Sequence, residues 1–281
     1  MTMYENLGVK RVINALGTAT VLGGSVIANK VADAMMEAND SFVEMWELHE
    51  KAGAAIAKIC GAEAGWVTSG AHAALVLSAA ACITGKDEKK TRKLPNTEGM
   101  KNEIIIQACQ RYFHDRAMET PGGKLVVVGN EEGCNPESVE SAINEKTAAI
   151  LYNVYKLEGA VSEEEVIKIG TRHGIPTIID AAYDCYPLEL LRKHITMGAD
   201  LVCYSGKYFG GPNSTGFVVG RKDLIESVAL HSFVSRATVC PMGRGYKLDR
   251  QEIIGLVVAL QNWMSMDHEK RIEKTTTRFD T

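Results

Sequence analysis

The chain has no CxxC pair, no Gly-x-x-x-x-Gly-Lys-Ser/Thr, no Gly-x-Gly-x-x-Gly opening a strand–helix unit and no Gly-x-Ser-x-Gly. The signatures of a nucleotide P-loop, a dinucleotide fold and a hydrolase elbow are therefore missing. Basic residues are not in excess. Lys and Arg number 31 against 35 Asp and Glu, the net charge is −4 and the pI is near 6.0. Neutralising a phosphate backbone takes clustered cations, so nucleic acid is not expected to be the main partner. The seven cysteines (60, 82, 109, 134, 185, 203 and 240) are odd in number, scattered and mostly in apolar context. They read as reduced thiols of a cytoplasmic protein. The seven histidines show no zinc spacing, so no metal is expected. The first residues contain no apolar signal segment. The longest apolar stretch, Ala71 to Ile83, includes His72 and Ser78 and is too short to cross a bilayer, so no membrane partner is expected.

The chain does have length and a regular alternation of elements. Its 281 residues suffice for one large domain, or for one large and one partial small domain. Apolar spacing predicts helices over Val26–Asn39, Trp46–Cys60, Ala73–Ile83 and Asp249–Met266. Shorter helices are expected over Pro136–Ile143, with Asn135 as N-cap, and from Ser162 to His173, where Ser162 and Glu165 form a capping box. Two more fall over Leu188–His194 and Asp223–Ser232, and a short one includes Arg116–Met118. Strands are expected from Trp66 and over Glu103–Gln107, Lys124–Val128, Ala148–Asn153, Thr177–Asp180, Leu201–Tyr204 and Gly216–Gly220. The polar run Gly85–Asn102 reads as an exposed loop. Strands alternating with helices predict an α/β fold with a mostly parallel sheet covered on both faces.

In such sheets ligands bind beyond the carboxyl ends of the strands. Three chemically suggestive segments follow strand ends. Ser69-Gly70-Ala71 precedes a helix and offers unpaired N–H groups and a hydroxyl, which suit a phosphate but also describe an ordinary turn. Asp180 ends Ile-Ile-Asp, where it could cap a turn or sit under a ring nitrogen. Lys207 follows Ser205-Gly206 and precedes Gly210-Gly-Pro212, a loop too rich in glycine to be packing material. A lysine that forms a Schiff base and an acid that keeps a pyridine nitrogen protonated are the two protein groups pyridoxal phosphate chemistry needs most.

These residues resemble a known family. Arg11-Val-Ile-Asn-Ala-Leu-Gly-Thr-Ala-Thr20, Leu22-Gly-Gly-Ser25, Val67-Thr-Ser-Gly-Ala71, Leu94-Pro-Asn-Thr-Glu-Gly-Met-Lys-Asn-Glu103, Ile179-Asp-Ala-Ala182, Tyr204-Ser-Gly-Lys207 and Gly210-Gly-Pro212 carry the likeness. The chain is similar to the fold-type I pyridoxal phosphate enzymes related to bacterial seryl-tRNA selenium transferase, closest to the branch with glucosaminate-6-phosphate ammonia-lyase. The resemblance implies that Lys207 is the Schiff-base lysine, that Asp180 pairs with the pyridine nitrogen and that Ser69, Gly70 and Ala71 hold the phosphate. It places Ser205 beside the cofactor, and Gln110 over the ring face where relatives carry His. It assigns Arg111 to a substrate carboxylate or phosphate, and Lys247 to a phosphate, in a neighbouring subunit or its own. Two departures stand out. The loop before Lys207 is one residue shorter than in relatives, and the chain stops roughly a hundred residues before relatives end.

The resemblance implies three regions. Residues 1–50 would form an N-terminal arm and first helices, 51–235 the cofactor-binding large domain, and 236–281 a linker helix and the start of a truncated C-terminal domain. The activity expected is a lyase acting on an amino acid or amino-sugar acid by α-proton abstraction, β-elimination and deamination. A selenium transferase acting on seryl-tRNA and a non-catalytic remnant keeping the fold are the alternatives. A homodimer or higher homo-oligomer is expected on family grounds, and the Ala- and Gly-rich segment Asn14–Ser25 suits an arm that packs on something else.

Overall fold

A computed structural model describes residues 2–235 and 240–276. Among them, seven strands form one mixed sheet: β1 (Ala64–Thr68), β2 (Glu103–Gln107), β3 (Lys124–Val128), β4 (Thr147–Asn153), β5 (Thr177–Asp180), β6 (Leu201–Ser205) and β7 (Gly216–Gly220). Their order across the sheet is β1-β7-β6-β5-β4-β2-β3. Every pairing is parallel except those of β7, which runs against both β1 and β6. Six strands therefore end on the same edge, and β7 begins there.

The helices are α1 (Met3–Asn6), α2 (Asn29–Asn39), α3 (Met45–Cys60), α4 (Gly70–Thr84), α5 (Glu88–Lys93), α6 (Pro136–Ser141), α7 (Glu163–His173), α8 (Leu190–Thr196), α9 (Lys222–His231), α10 (Arg250–Met264) and α11 (His268–Thr276). The strands read as nearly continuous apolar runs because both faces are covered. Alternate residues serve two cores. Ile105, Ile150, Ile179, Val202 and Phe217 pack with α3, α7, α8 and α10 on one face. Ile104, Leu151, Ile178, Cys203 and Val218 pack with α4 and α9 on the other. Burying each large aliphatic side chain contributes about 1.5–3 kcal/mol, and the strict alternation leaves no freedom to slip the register. Helix α4 is Ala-rich and buried almost throughout, so it lies close against the middle of the sheet.

The expected strands all form, most within a residue of the sequence boundaries. The run Gly85–Asn102 is not loop throughout. Asp87 accepts from the N–H groups of Lys89 (2.8 Å) and Lys90 (3.2 Å) and starts the short helix α5. A charged face had masked an ordinary capped turn. At α7, Ser162 accepts from the Glu165 N–H at 3.3 Å. The Glu165 carboxylate turns to Arg172 instead of back to the cap, so only half of the capping box forms. Complete boxes form at α1, between Thr2 and Glu5, and at α10, between Asp249 and Glu252. Of the segments divided by sequence, residues 1, 236–239 and 277–281 lie outside the described residues.

Helix α3 meets β1 through two glycines. A Cβ at Gly53 would lie 1.9 Å from the Gly65 carbonyl oxygen. Gly53→Ala is therefore expected to lower stability by about 2–3 kcal/mol, whereas Lys51→Ala on the exposed side of the same helix stays within about 0.5 kcal/mol. Urea unfolding of the two variants measures this, and equal effects would contradict the close packing.

Candidate functional site

The end of β5 presents Asp180, which is 2% exposed. Ala182 donates its N–H to one carboxylate oxygen at 3.1 Å, and the Tyr112 hydroxyl donates to the other. Burial lifts this carboxyl from its ordinary range to about 6. The hydrogen bonds from Tyr112 and Ala182 pull it back, and the charge of Asp184 pushes it further up. The site thus holds an acid poised near neutrality, with donors already in place for its ionised form.

Strand β6 ends at Ser205 and turns through a 3-10 helix, Gly206–Phe209. Gly206 is required by space, since a Cβ there would lie 2.2 Å from Thr215 Oγ1. Lys207 emerges from this turn half-buried. Its Nζ donates to Thr20 Oγ1 at 2.8 Å and sits 5.1 Å from the centre of the Tyr208 ring. Burial lowers its pKa, which raises the share of neutral amine available as a nucleophile.

Strand β1 leads through Ser69 into α4. Ser69 stands at the N-cap without a side-chain cap bond, which leaves its hydroxyl unused there. Gly70 has φ +78°, a left-handed conformation that favours glycine. Across from it, a Cβ on Gly216 would come within 2.4 Å of the Gly70 carbonyl carbon. Two strands and a helix start are thus pressed together, and the positive end of a 15-residue helix opens on the strand edge.

A cavity of about 280 Å³ lies where these pieces meet. Gly70, Ala71, Asp180, Ser205 and Lys207 all line it. Ser69 does not line it but immediately precedes the residues that do. The cavity also has residues that the sequence did not single out: Thr20, His114 and Asn213. His72, which the sequence placed only within the apolar stretch Ala71–Ile83, lines it as well. Its ring centre is 5.7 Å from that of His114. Burial lowers the pKa of both rings, and the charges of His72 and Lys207 lower that of His114 further. The only sequence signal for Asn213 was its place in the glycine-rich loop. His114 had none, because Tyr112-Phe113-His114 reads as connecting chain.

Three expected site residues are elsewhere. Gln110 is fully buried behind the strand ends. It donates to the carbonyls of Asn153 (2.9 Å) and Lys156 (3.0 Å), so its amide ties the end of β2 to the chain after β4 rather than reaching the cavity. Arg111 is turned onto the buried carboxylate of Asp115. Lys247 is exposed in the chain before α10 and does not line the cavity. A second cavity, of about 390 Å³, opens between α3 and α9 at the start of β1. It is mostly apolar, faces away from the strand ends and brings no lysine and buried acid together.

The residues present fit pyridoxal phosphate. One half-buried amine, one buried carboxylate and one helix start surround a single space. Asn213 lines the same space, and its Oδ1, buried without a hydrogen-bond partner, packs against Gly24.

Comparison with known proteins agrees. The sequence pattern of the family described as L-seryl-tRNA selenium transferase matches residues 12–278. D-glucosaminate-6-phosphate ammonia lyase from Salmonella typhimurium is 36% identical over 270 residues, covering 93% of this chain and 70% of the relative. A 5'-C-glycyluridine monooxygenase-decarboxylase from a Streptomyces species is 31% identical over 285 residues, covering 98% of this chain and 69% of the relative. A solved structure of D-glucosaminate-6-phosphate ammonia-lyase superposes with a TM-score of 0.87 at 34% identity, over 95% of this chain and 71% of that one. The chain belongs to the L-seryl-tRNA selenium transferase family of fold-type I enzymes, whose cofactor is pyridoxal 5'-phosphate.

Asp180 also predicts a pH dependence. Its pKa in the folded protein, about 6, is above its ordinary value. The folded state therefore binds the proton more tightly, and the stability linked to this group is present below about pH 4 and lost as the pH rises through 6. Without cofactor, Asp180→Asn is expected to stabilise the protein by about 1–2 kcal/mol at pH 8 and by much less at pH 4. Denaturant titrations at the two pH values check this, and an equal effect at both would contradict it.

Proposed function

We propose that this member of the L-seryl-tRNA selenium transferase family is a pyridoxal phosphate-dependent lyase. It would abstract the α-proton of an amino acid or amino-sugar acid, expel the β-substituent and release ammonia. One observation carries this reading: Lys207 and Asp180, from the ends of the paired strands β6 and β5, converge on one cavity at the head of α4. The likeness to D-glucosaminate-6-phosphate ammonia lyase supports the substrate class.

When bound, pyridoxal phosphate supplies a protonated ring that draws electrons from the substrate α-carbon. Lys207 Nζ would hold the cofactor through its aldehyde and, once released from it, would take the substrate α-proton. Asp180 would favour a proton on the ring nitrogen. Gly70 and Ala71, which line the cavity, would bind the phosphate with the free N–H groups at the start of α4, and the Ser69 hydroxyl just before them would join them. Ser205 and Asn213 line the cavity with Lys207, and His114, which lines it where Gln110 does not, would be the residue nearest in role to the one expected over the ring. His72 and His114 are the cavity's donors for a substrate anion. Arg111 joins them only by leaving Asp115, and Lys247 serves a neighbouring copy.

The protein is proposed to be a cytoplasmic homo-oligomer. Val12 (66% exposed), Ile13 (101%), Leu16 (72%) and Val21 (87%) lie bare along the N-terminal arm, whose Thr20 touches Lys207. A second copy covering this arm would bury the apolar run and close the cavity. All seven cysteines are free, in keeping with a reducing compartment. Among the described residues, no helix is long and apolar enough to cross a membrane.

The test is reduction with borohydride in the presence of pyridoxal phosphate, followed by peptide mapping. The adduct is expected on Lys207. Lys207→Ala should lose the adduct and lower ammonia release by about 10³-fold. A protein that stays colourless and unmodified would favour the non-catalytic reading. The family description gives selenium transfer as the second reading. Tight, salt-sensitive binding of seryl-tRNA in a gel shift would favour it over the lyase.

A further inference from the structure

Helix α8 places His194 in the core, fully buried, with a carboxylate on each ring nitrogen. Nδ1 is 2.5 Å from Glu163 Oε1 and Nε2 is 3.2 Å from Asp184 Oδ2. A neutral imidazole has a proton on only one nitrogen, so the other would face a carboxylate lone pair with nothing to share. With both carboxylates ionised, the imidazolium is the form that satisfies both contacts. Burial by itself opposes that charge, but the hydrogen bonds and charges of Asp184 and Glu163 outweigh it and raise the histidine's pKa.

Asp184 is what gives this clamp a function. It belongs to the turn that leaves Asp180, and its N–H donates to the Ala181 carbonyl at 3.0 Å. In the same turn, Ala182 donates its N–H to the Asp180 carboxylate at 3.1 Å and accepts from the Ser205 N–H at 3.0 Å. Tyr183 donates its N–H to the Tyr155 hydroxyl at 2.6 Å, and the two rings stack with centres 3.5 Å apart. Tyr183 is also 6.0 Å, edge to face, from Tyr208, the neighbour of Lys207. The Cys185 carbonyl accepts from the Trp263 indole at 2.8 Å. The turn thus connects Asp180, Ser205 and the lysine loop. Through its side chains, the Asp184 carboxylate ties it to α7 and α8 behind the sheet. Asp184 also adds negative charge beside Asp180.

We propose that His194, held as a cation between Glu163 and Asp184, is a positioning residue of the cofactor site: it fixes the turn after Asp180 and neutralises the acid beside it. This rests on the reading of Asp180 as the partner of the ring nitrogen. Without the cation, buried Glu163 and half-buried Asp184 would be left as two unpaired carboxylates across one space, and the turn would move to separate them. Ala182 and Ser205 would move with it.

A charge-compensation cycle distinguishes this role from simple packing. Pyridoxal phosphate binding is titrated by absorbance for the wild type, His194→Gln, Asp184→Asn and the double variant, with thermal midpoints recorded for each. His194→Gln is expected to weaken binding about tenfold or more, because it leaves two carboxylates without a cation. Asp184→Asn should stay within about threefold of wild type, since the amide oxygen still accepts from the histidine. The double variant should recover most of the loss in both affinity and midpoint. If His194→Gln alone does not fold, recovery of folding in the double variant supports the same conclusion. A double variant that binds no better than His194→Gln, in a background where the wild type binds, overturns the inference. A wild type that takes up no pyridoxal phosphate overturns instead the cofactor reading on which the inference rests.

Discussion

The carboxylate of Asp180 sits at the end of β5 with almost no contact with water, and it takes hydrogen bonds from Tyr112 and Ala182. Burying an acid in this way is costly unless something nearby favours its ionised form. Its surroundings follow from that constraint. The Tyr112 hydroxyl and the Ala182 N–H favour the anion, whereas Asp184 opposes it. A protonated pyridine nitrogen placed against Asp180 would complete the balance with a full opposite charge, so a cofactor of this kind and the site each stabilise what the other lacks.

The sheet brings the partners of Asp180 into reach. Six strands finish on one edge, so residues far apart in the chain, Ser69 after β1, Asp180 on β5 and Lys207 after β6, end on the same side. The antiparallel strand β7 begins on that edge between β1 and β6. Its first residue, Gly216, allows the backbone of Gly70 to approach closely enough to bring the start of α4 to the cavity. Gly206 and Gly216 are thus a packing requirement of the site, and Gly70 a backbone one, set by its φ of +78°.

Much of this was legible in the chain. Buried strands and caps at Asn135 and Ser162 leave little choice of element, so the α/β order and the cluster of Lys207, Asp180 and Gly70 followed from local pattern and the strand-end rule. What was not legible was side-chain direction. Gln110 and Arg111 fall at the right strand end, but a 3-10 turn over Ala108–Gln110 points one into the core, and Asp115 draws the other aside. His114 lines the cavity from the turn that starts the 3-10 helix Asp115–Met118, and Thr20 from the N-terminal arm, where it accepts from Lys207. The buried clamp of Glu163, His194 and Asp184 joins two helices and a loop, a contact that no spacing in the sequence announces.

The account stands on Asp180 keeping the ring nitrogen protonated. The most direct measurement is the nitrogen NMR spectrum of pyridoxal phosphate labelled with ¹⁵N in its ring and bound to the protein at neutral pH. The account predicts a pyridinium signal in the wild type that changes to that of an unprotonated pyridine when Asp180 is replaced by Ala. An unprotonated ring nitrogen in the wild type, or a pyridinium signal that survives the replacement, would contradict it.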